Sequence, residues 1–202
     1  MTDSSPNLPE AVAGYVALTF DDGSNENTAT LLETLRACGA RATLFNIGEN
    51  AAAHPDLVRA EVDAGMWIGN HSYVHPHMLT LGDGDMRDQL SRTQSAIERP
   101  GGGTPILFRP PFGEHDPTLD AIAAELGMRV VMWAIDTRDW DGATAEAIVA
   151  AAEGIAAGEI ILMHDGYAAT NAAIPIIVGN LAKRGLLPGM IDPASGRAVA
   201  PR

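Results

Sequence analysis

Short apolar runs alternate along the chain with segments whose apolar residues recur at helical spacing. Met86, Leu90 and Ile97 give one example of that helical spacing. Strands are predicted at 15–20, 42–47, 66–70, 106–109, 129–135 and 160–163, with a seventh near 185–190. Since repeated βα units build parallel sheets covered by helices, the pattern predicts an α/β fold.

The number of predicted strands narrows the architecture. Seven strands fall short of a regular eightfold barrel, so we expect a distorted or incomplete (β/α) barrel, with an open sheet as the alternative. No linker-like tract or repeat divides the sequence, so residues 1–202 are interpreted as a single domain. Residues 1–12 and 192–202 are expected to be irregular ends.

Composition excludes several classes of function. The 202 residues include 26 acidic and 13 basic side chains, a net charge of −13, and no basic stripe for a nucleic acid backbone. No apolar stretch is long enough to span a membrane. The single cysteine, Cys38, excludes an internal disulfide, and its helical spacing from Leu31 and Leu35 predicts a buried structural thiol. A monomer is expected.

Residues capable of chemistry follow the predicted strands. The carboxyl ends of parallel strands are where barrels and open α/β sheets assemble their active sites. Five separate segments should therefore converge on one site. The residues concerned are Asp21 and Asp22 after the first strand, His71 after the third, Arg109 at the fourth, Asp136 and Asp139 after the fifth, and His164 after the sixth.

Asp22, His71 and His75 are candidate metal ligands. A carboxylate and two imidazoles suit zinc or a similar divalent ion, and Pro76 favours an irregular loop around His75. Taken alone, the histidines could equally be solvated loop residues, and the two aspartates could cap a helix. Together they favour a metal held by Asp22, with Asp21 free as general base and His164 as general acid.

Five segments in order resemble the motifs of the polysaccharide deacetylases, carbohydrate esterase family four, also called the NodB-homology family. The match extends over nearly the whole chain, and longer stretches are similar to compact acetylxylan esterases and chitooligosaccharide deacetylases. The segments are Thr19-Phe20-Asp21-Asp22-Gly23, His71-Ser72-Tyr73-Val74-His75, Arg109-Pro110-Pro111-Phe112-Gly113, Asp136-Thr137-Arg138-Asp139-Trp140 and Leu162-Met163-His164-Asp165.

This resemblance implies a distorted (β/α) barrel of the polysaccharide deacetylase type and one zinc or cobalt ion held by the three candidate ligands. It implies that Arg109 orients Asp21, which a guanidinium can do through two parallel hydrogen bonds. It further implies that Asp139 pairs with His164 and that the backbone N–H of Phe112 binds the oxyanion. Two departures are Ser24, where proline is common, and Phe112, where tyrosine is common.

Trp140 and Leu162 would, by the same resemblance, form the walls of a small pocket for the acetyl methyl group. Ordinary core packing is the alternative for both side chains, because apolar residues beside strands are usually part of the core. Trp67 and Tyr167 could stack on a sugar ring, but a packing role explains them equally well. Surface or capping roles are expected for His54, His77 and His115.

The function implied is metal-dependent deacetylation of an acetylated polysaccharide or oligosaccharide, either acetylxylan or chitin oligomers. Peptidoglycan N-acetylglucosamine is an alternative substrate, and a carbohydrate-binding relative without activity is the non-enzymatic alternative. A phosphoesterase is disfavoured because the sequence has no glycine-rich phosphate cradle. The residues leave open whether the protein is cytoplasmic or has lost a signal peptide, whereas the resemblance implies a secreted enzyme.

Overall fold

The computed structural model describes residues 12–202. The strands are β1 Gly14–Gly23, β2 Thr43–Asn46, β3 Trp67–Asn70, β4 Leu107–Phe108, β5 Arg129–Val130, β6 Ile135–Asp136, β7 Ile160–His164, β8 Leu186–Pro188, β9 Met190–Ile191 and β10 Ala198–Val199. The helices are α1 Thr28–Ala37, α2 Gly48–Ala53, α3 Pro55–Asp63, α4 Asp83–Glu98, α5 Pro117–Glu125, α6 Ala145–Ala152 and α7 Ala168–Lys183. None of these helices has the length and apolar character needed to cross a membrane.

Seven parallel strands form a curled sheet in the order β5-β4-β3-β2-β1-β7-β6, and β8 pairs with the start of β1. The hydrogen-bonded path ends at β5 on one side and at β6 on the other, so the barrel is not closed by strand pairing. The predicted α/β fold with a distorted (β/α) barrel is therefore confirmed.

The central strand β1 separates the two faces of the sheet. Val16, Leu18 and Phe20 belong to the large apolar cluster formed with α1 and α7. Ala17 belongs instead to the cluster inside the barrel. Since side chains alternate along a strand, Asp21 shares the inner face with Ala17. The end of β1 thus places the carboxylate of Asp21 at the mouth of the barrel.

Three of the helices, α3, α5 and α6, begin at residues suited to that position. Pro55 and Pro117 occupy the first turns of α3 and α5, where a missing N–H costs nothing. The carboxylate of Asp116 caps α5, and the hydroxyl of Thr144 caps α6. These helices cover the outer face of the sheet, so the polar loops at the strand ends remain free to form a site.

The single strand predicted at 129–135 is wrong. The structure has two two-residue strands there, β5 and β6, which lie at opposite edges of the sheet. Residues 131–134 cross from one edge to the other. One continuous apolar run contains both strands and the crossing, and hydrophobic periodicity cannot mark where such a run changes partners.

Smaller differences occur near the C-terminus and at the cysteine. The strand expected near 185–190 is divided into β8 and β9. The end expected to be irregular from residue 192 contains the short strand β10, which pairs antiparallel with β9 and buries Ala198. Cys38 is half-buried beside the core rather than buried. The expectation for residues 1–11 lies outside the described residues.

Candidate active site

Asp21 and Asp22 are adjacent, yet both line one pocket at the carboxyl end of the sheet. In a regular strand, neighbouring residues point to opposite faces. Here the pairing shifts register, because Asp21 pairs with Phe45 while Gly23 pairs with Asn46. Asp22 is the extra residue of a β-bulge, and its φ of 70° turns it out of the strand. The bulge brings both carboxylates to the same site.

Asp22, His71 and His75 form a compact cluster of ligand atoms, all within 4.8 Å of one another. Nε2 of His71 lies 3.5 Å from Oδ1 of Asp22, and Nε2 of His75 lies 3.7 Å from the same oxygen. His71 follows β3 directly and is buried, whereas His75 is partly exposed. The three candidate ligands thus come together from the ends of β1 and β3, which are separated in the sheet by β2.

Two features of the cluster fit a bound divalent cation. Nδ1 of His71 lies 2.7 Å from the backbone carbonyl of Arg109; since a carbonyl only accepts, Nδ1 carries the proton and Nε2 directs its lone pair at the cluster. Oδ1 of Asp22 is buried and has no hydrogen-bond partner among residues 12–202. A cation would satisfy that oxygen, and this set of nitrogen and oxygen donors suits a divalent metal ion.

The loop that carries His75 is irregular, as Pro76 predicts. Ser72 and His75 have φ values of 64° and 54°, and the N–H of His75 donates to Oγ of Ser72 at 3.1 Å. Such conformations cost on the order of 1–3 kcal/mol each and persist where the surrounding structure holds them. Burial and the nearby His71 lower the pKa of His75, so its imidazole remains neutral and able to bind a metal.

Arg109 holds Asp21 from inside the barrel, and neither side chain is significantly exposed. Nη1 of Arg109 donates to Oδ1 of Asp21 at 2.8 Å and to Oγ1 of Thr19 at 2.7 Å. Its Nε and Nη2 donate to two backbone carbonyls at 3.4 Å. The contact with Asp21 is therefore single rather than the expected pair of parallel bonds, because the other donors serve carbonyls.

His164 ends β7 and pairs with Asp21 in the register of the sheet, so the two side chains share the inner face. Nδ1 of His164 lies 2.8 Å from Oδ1 of Asp139, whose Oδ2 accepts from the backbone N–H of His164 and the hydroxyl of Thr170. Burial lowers the pKa of His164, but the hydrogen bond to Asp139 and the charge of Asp21 outweigh that effect and raise the net pKa. His164 is thereby favoured in its protonated form.

The candidate metal ligands, Asp21 and His164 line one pocket of about 420 Å³, whereas Arg109 and Asp139 lie behind it. Asp21 and Asp22 come from β1, the two histidine ligands from the loop after β3, and His164 from β7. The pocket is lined by Asp21, Asp22, His71, His75, Pro110, Phe112, Gly113, Trp133, Asp136, Trp140, Leu162 and His164.

Phe112 stands at the rim of the pocket in a left-handed conformation, with φ of 57°. Its ring is 56% exposed, meets His75 edge-on at 4.6 Å and stacks on His77 at 4.1 Å. Within residues 12–202 its backbone N–H has no backbone acceptor. That donor is therefore available to a ligand. His77, expected to have only a surface or capping role, supports the ring of Phe112.

Trp140 and Leu162 both line the pocket, but they differ in exposure. Leu162 is 3% exposed within β7, whereas Trp140 is 47% exposed on the turn after β6. Core packing therefore accounts for part of the role of Leu162 but not for Trp140. Tyr167 approaches His164 edge-on at 6.3 Å, and Trp67 instead packs under the guanidinium of Arg41.

A sequence model of the polysaccharide deacetylase family matches residues 10–131, which is more than half of the chain. The chain belongs to the polysaccharide deacetylase family. The motifs that lie beyond the matched region, around Asp139 and His164, close the same pocket.

Among curated members of this family, a bifunctional xylanase/xylan deacetylase of Cellvibrio japonicus is 49% identical over 94% of the chain. The chain spans 29% of the length of that relative. A chitooligosaccharide deacetylase of Azorhizobium caulinodans is 32% identical over 83% of the chain and 81% of its own length. Peptidoglycan-N-acetylglucosamine deacetylases are also related to this chain.

Among solved members of the family, a family 4 carbohydrate esterase from Streptomyces lividans, in complex with acetate, superposes with a TM-score of 0.94. The two sequences are 55% identical, and the match covers 95% of this chain and 100% of the other. The curled sheet, its helices and their connections are thus those of a deacetylase of carbohydrate esterase family four.

Trp133 was not among the predicted site residues, and Asp136 was predicted to reach the site without a specific role. Trp133 lies in the crossing between β5 and β6, which was read as part of one strand, and Asp136 ends β6. Asp136 stood in a recognised motif, so its position was a usable signal. No sequence signal marked Trp133, because it falls inside the strand predicted at 129–135, and a residue in the middle of a strand is not expected at the mouth of a pocket.

Proposed function

We propose that this protein is a metal-dependent hydrolase that removes acetyl groups from polysaccharide or oligosaccharide chains and releases acetate. One observation carries the proposal: a three-ligand cluster lies in the same pocket as the buried carboxylate of Asp21 and the imidazole of His164, which is hydrogen-bonded to Asp139. These are the groups that acyl transfer to water requires.

Asp22, His71 and His75 would hold the ion, with zinc or cobalt as the proposed metal. A bound divalent ion would acidify water and polarise the acetyl carbonyl. Asp21 is placed to remove a proton from the attacking water, because Arg109 fixes its Oδ1 while Oδ2 lies 3.7 Å from Nε2 of His71. Asp21 is therefore assigned as the general base.

His164 is assigned as the general acid. Asp139 holds its Nδ1, which leaves Nε2 for the leaving group. Water oxygen bonds to the acetyl carbon, the proton of that water passes to Asp21, and the bond from the acetyl carbon to the sugar oxygen or nitrogen breaks. His164 then gives its proton to the sugar atom. Acetate and a free hydroxyl or amine are the products.

Three further residues are assigned to the acetyl group. The unpaired N–H of Phe112 would stabilise the oxyanion that develops on the acetyl oxygen. Trp140 and Leu162 would enclose the methyl group, since both line the pocket. A pocket with these walls accepts a small acyl group better than a long one.

The proposed substrates are acetylxylan, through its O-acetyl groups, and chitin oligomers, through their N-acetyl groups. Similarity to the bifunctional xylanase/xylan deacetylase favours acetylxylan, and similarity to the chitooligosaccharide deacetylase favours chitin oligomers. Peptidoglycan N-acetylglucosamine remains the alternative polymer. A phosphoesterase fits poorly, because among residues 12–202 no Lys or Arg lines the pocket. We also propose that the protein is secreted and that it is a monomer.

The test is acetate release from acetylated xylan, N-acetylated chitin oligomers and peptidoglycan, using protein stripped by chelator and then restored with zinc or cobalt. We expect release only after metal is restored, and a loss of roughly 1000-fold or more in Asp21→Asn. Asp63→Asn, an exposed acid on α3, is the matched control. A metal-loaded protein that releases acetate from none of the three polymers would favour the carbohydrate-binding alternative.

A further inference from the structure

Glu61 is a buried carboxylate outside the active-site pocket. It lies on the inner face of α3, beside Val58, and has no exposed surface. Burial raises the pKa of Glu61 to about 7, even though hydrogen bonds from Ser24 and Asn46 act in the opposite direction. A buried carboxylate is costly in free energy unless its oxygens are satisfied, so its partners indicate why it is there.

Glu61, Ser24 and Asn46 form a closed ring of hydrogen bonds, and none of the three is exposed. The hydroxyl of Ser24 donates to Oε1 of Glu61 at 2.7 Å. Nδ2 of Asn46 donates to Oε2 of Glu61 at 2.6 Å and to Oγ of Ser24 at 2.9 Å. Both carboxylate oxygens are used within this ring.

The ring lies immediately behind the bulge at Asp22. Ser24 follows Gly23 on β1, and Asn46 is the residue of β2 that pairs with Gly23 after the register shift. A Cβ placed on Gly23 would lie 2.7 Å from Oδ1 of Asn46, so the two strands are in close contact at this point. The ring thus joins β2 to the residue directly after β1, two residues beyond Asp22.

We propose that Glu61 is a positioning residue that acts through Ser24 and Asn46 to fix the bulge, and with it the place of the Asp22 carboxylate relative to Asp21. This inference rests on the proposed function, since Asp22 is the proposed metal ligand. Glu61 itself contacts neither the pocket nor the ligand cluster.

Two variants separate this role from general support of the fold. Glu61→Gln keeps the size of the side chain and can still accept from Ser24, but its amide nitrogen would meet the donor Nδ2 of Asn46. Ser24→Ala removes only the hydroxyl. Asp63→Asn removes an exposed acid from the same helix and is the matched control.

Cobalt affinity is measured with the full chain, stripped by chelator and titrated with cobalt alone while visible absorption is followed. We expect Glu61→Gln and Ser24→Ala each to weaken cobalt binding by about 10- to 100-fold and to change the absorption of the bound ion. Turnover of acetylated xylan should lose kcat by a similar factor, with KM nearly unchanged. The double variant should be no worse than Glu61→Gln, because both changes break one ring.

Cobalt binding and absorption that match the wild type in Glu61→Gln and Ser24→Ala would overturn the inference, even if both variants were less stable. The proposed function would then stand. If Glu61→Gln does not fold, Ser24→Ala carries the test by itself. A wild-type chain that binds no cobalt would overturn the proposed metal site and this inference together.

Discussion

The hydrogen bond between Asp139 and His164 controls how readily His164, the proposed general acid, is protonated. Asp139 accepts four hydrogen bonds, two from His164 and one each from the hydroxyl of Thr170 and the backbone N–H of Trp140. Burial acts to raise the pKa of Asp139, but the hydrogen bonds from His164 and Thr170 hold that pKa below its ordinary value. The carboxylate therefore stays charged and stabilises the imidazolium of His164. An acid poised in this way can be tested through its pH dependence.

Asp139→Asn removes that negative charge, so the pKa of His164 should fall. Because the general acid must be protonated, kcat/KM should begin to decline at lower pH, with the alkaline limb displaced by about 1 to 3 units. The pH profile of kcat/KM on acetylated xylan measures the shift. Thr170→Val keeps the charge of Asp139 and should move the limb far less. An unmoved limb in Asp139→Asn would exclude His164 as the titrating acid.

His164→Ala should distinguish ester from amide substrates. A sugar amine must be protonated to leave, whereas a sugar alkoxide is the better leaving group. We expect kcat/KM to fall for both, with a further loss on the order of tenfold or more for N-acetylated chitin oligomers than for acetylated xylan. Equal losses on the two substrates would contradict the assignment of His164 as proton donor.

Irregular backbone is concentrated where the strands of the sheet end. Asp22 extends β1 into a bulge, Ser72 and His75 belong to the loop after β3, and Phe112 belongs to the turn after β4. None of them is glycine, although all have positive φ. The surrounding regular elements therefore hold strained loops whose conformations place the proposed metal ligands and the proposed oxyanion donor.

Gly69 on β3 and Gly179 on α7 should respond oppositely to alanine. A Cβ on Gly69 would lie 2.4 Å from the ring of Phe45, which stacks on Arg109 at 4.2 Å. Gly69→Ala should cost about 1–3 kcal/mol of unfolding free energy and reduce kcat. Gly179 has open space and helical backbone, so Gly179→Ala should add about 0.4–1 kcal/mol. Denaturant unfolding and acetate release measure both effects.

The hydrophobic pattern predicted a strand correctly where a run of apolar residues forms one uninterrupted strand in the structure. The long central strand, β2, β3 and β7 lie where the pattern placed them. The pattern failed at 129–135, because the chain passes from one edge of the sheet to the other inside that run, and this crossing depends on tertiary pairing. The motifs predicted candidate residues that the structure brings together, but the bulge at Asp22 and the single-nitrogen contact of Arg109 depend on three-dimensional packing, which no spacing rule contains.

The whole molecule carries a net charge of −13, yet two of its acids are buried behind the site. Burial raises the pKa of Glu61 to about 7 and that of Asp165 to about 6. Since the folded chain keeps these protons where the unfolded chain releases them, both groups make the fold less stable as pH rises.

Glu61→Gln should remove one of these two contributions. The pKa of Glu61 moves from 4.5 to about 7 on folding, so wild-type stability should fall across that window by up to roughly 3 kcal/mol relative to the variant. Denaturant unfolding of both proteins below 4.5 and above 7 gives the difference. Asp165 titrates in both proteins, and because its charge also raises the pKa of Glu61, the difference reports Glu61 together with this interaction. A pH-independent difference would show that Glu61 ionises normally.

Arg109 reaches across a barrel that strand pairing leaves open. It starts beside β4, binds Thr19 and Asp21 on β1, and donates to the carbonyls of Val131 and Met132 in the crossing between the two free edges. The side chain of Arg109 thus connects β1 to the segment that crosses between the two free edges of the sheet. A change that widens the curl would therefore also move Asp21, the proposed general base, relative to the proposed ligand cluster, so the shape of the barrel and the geometry of the site depend on the same side chain.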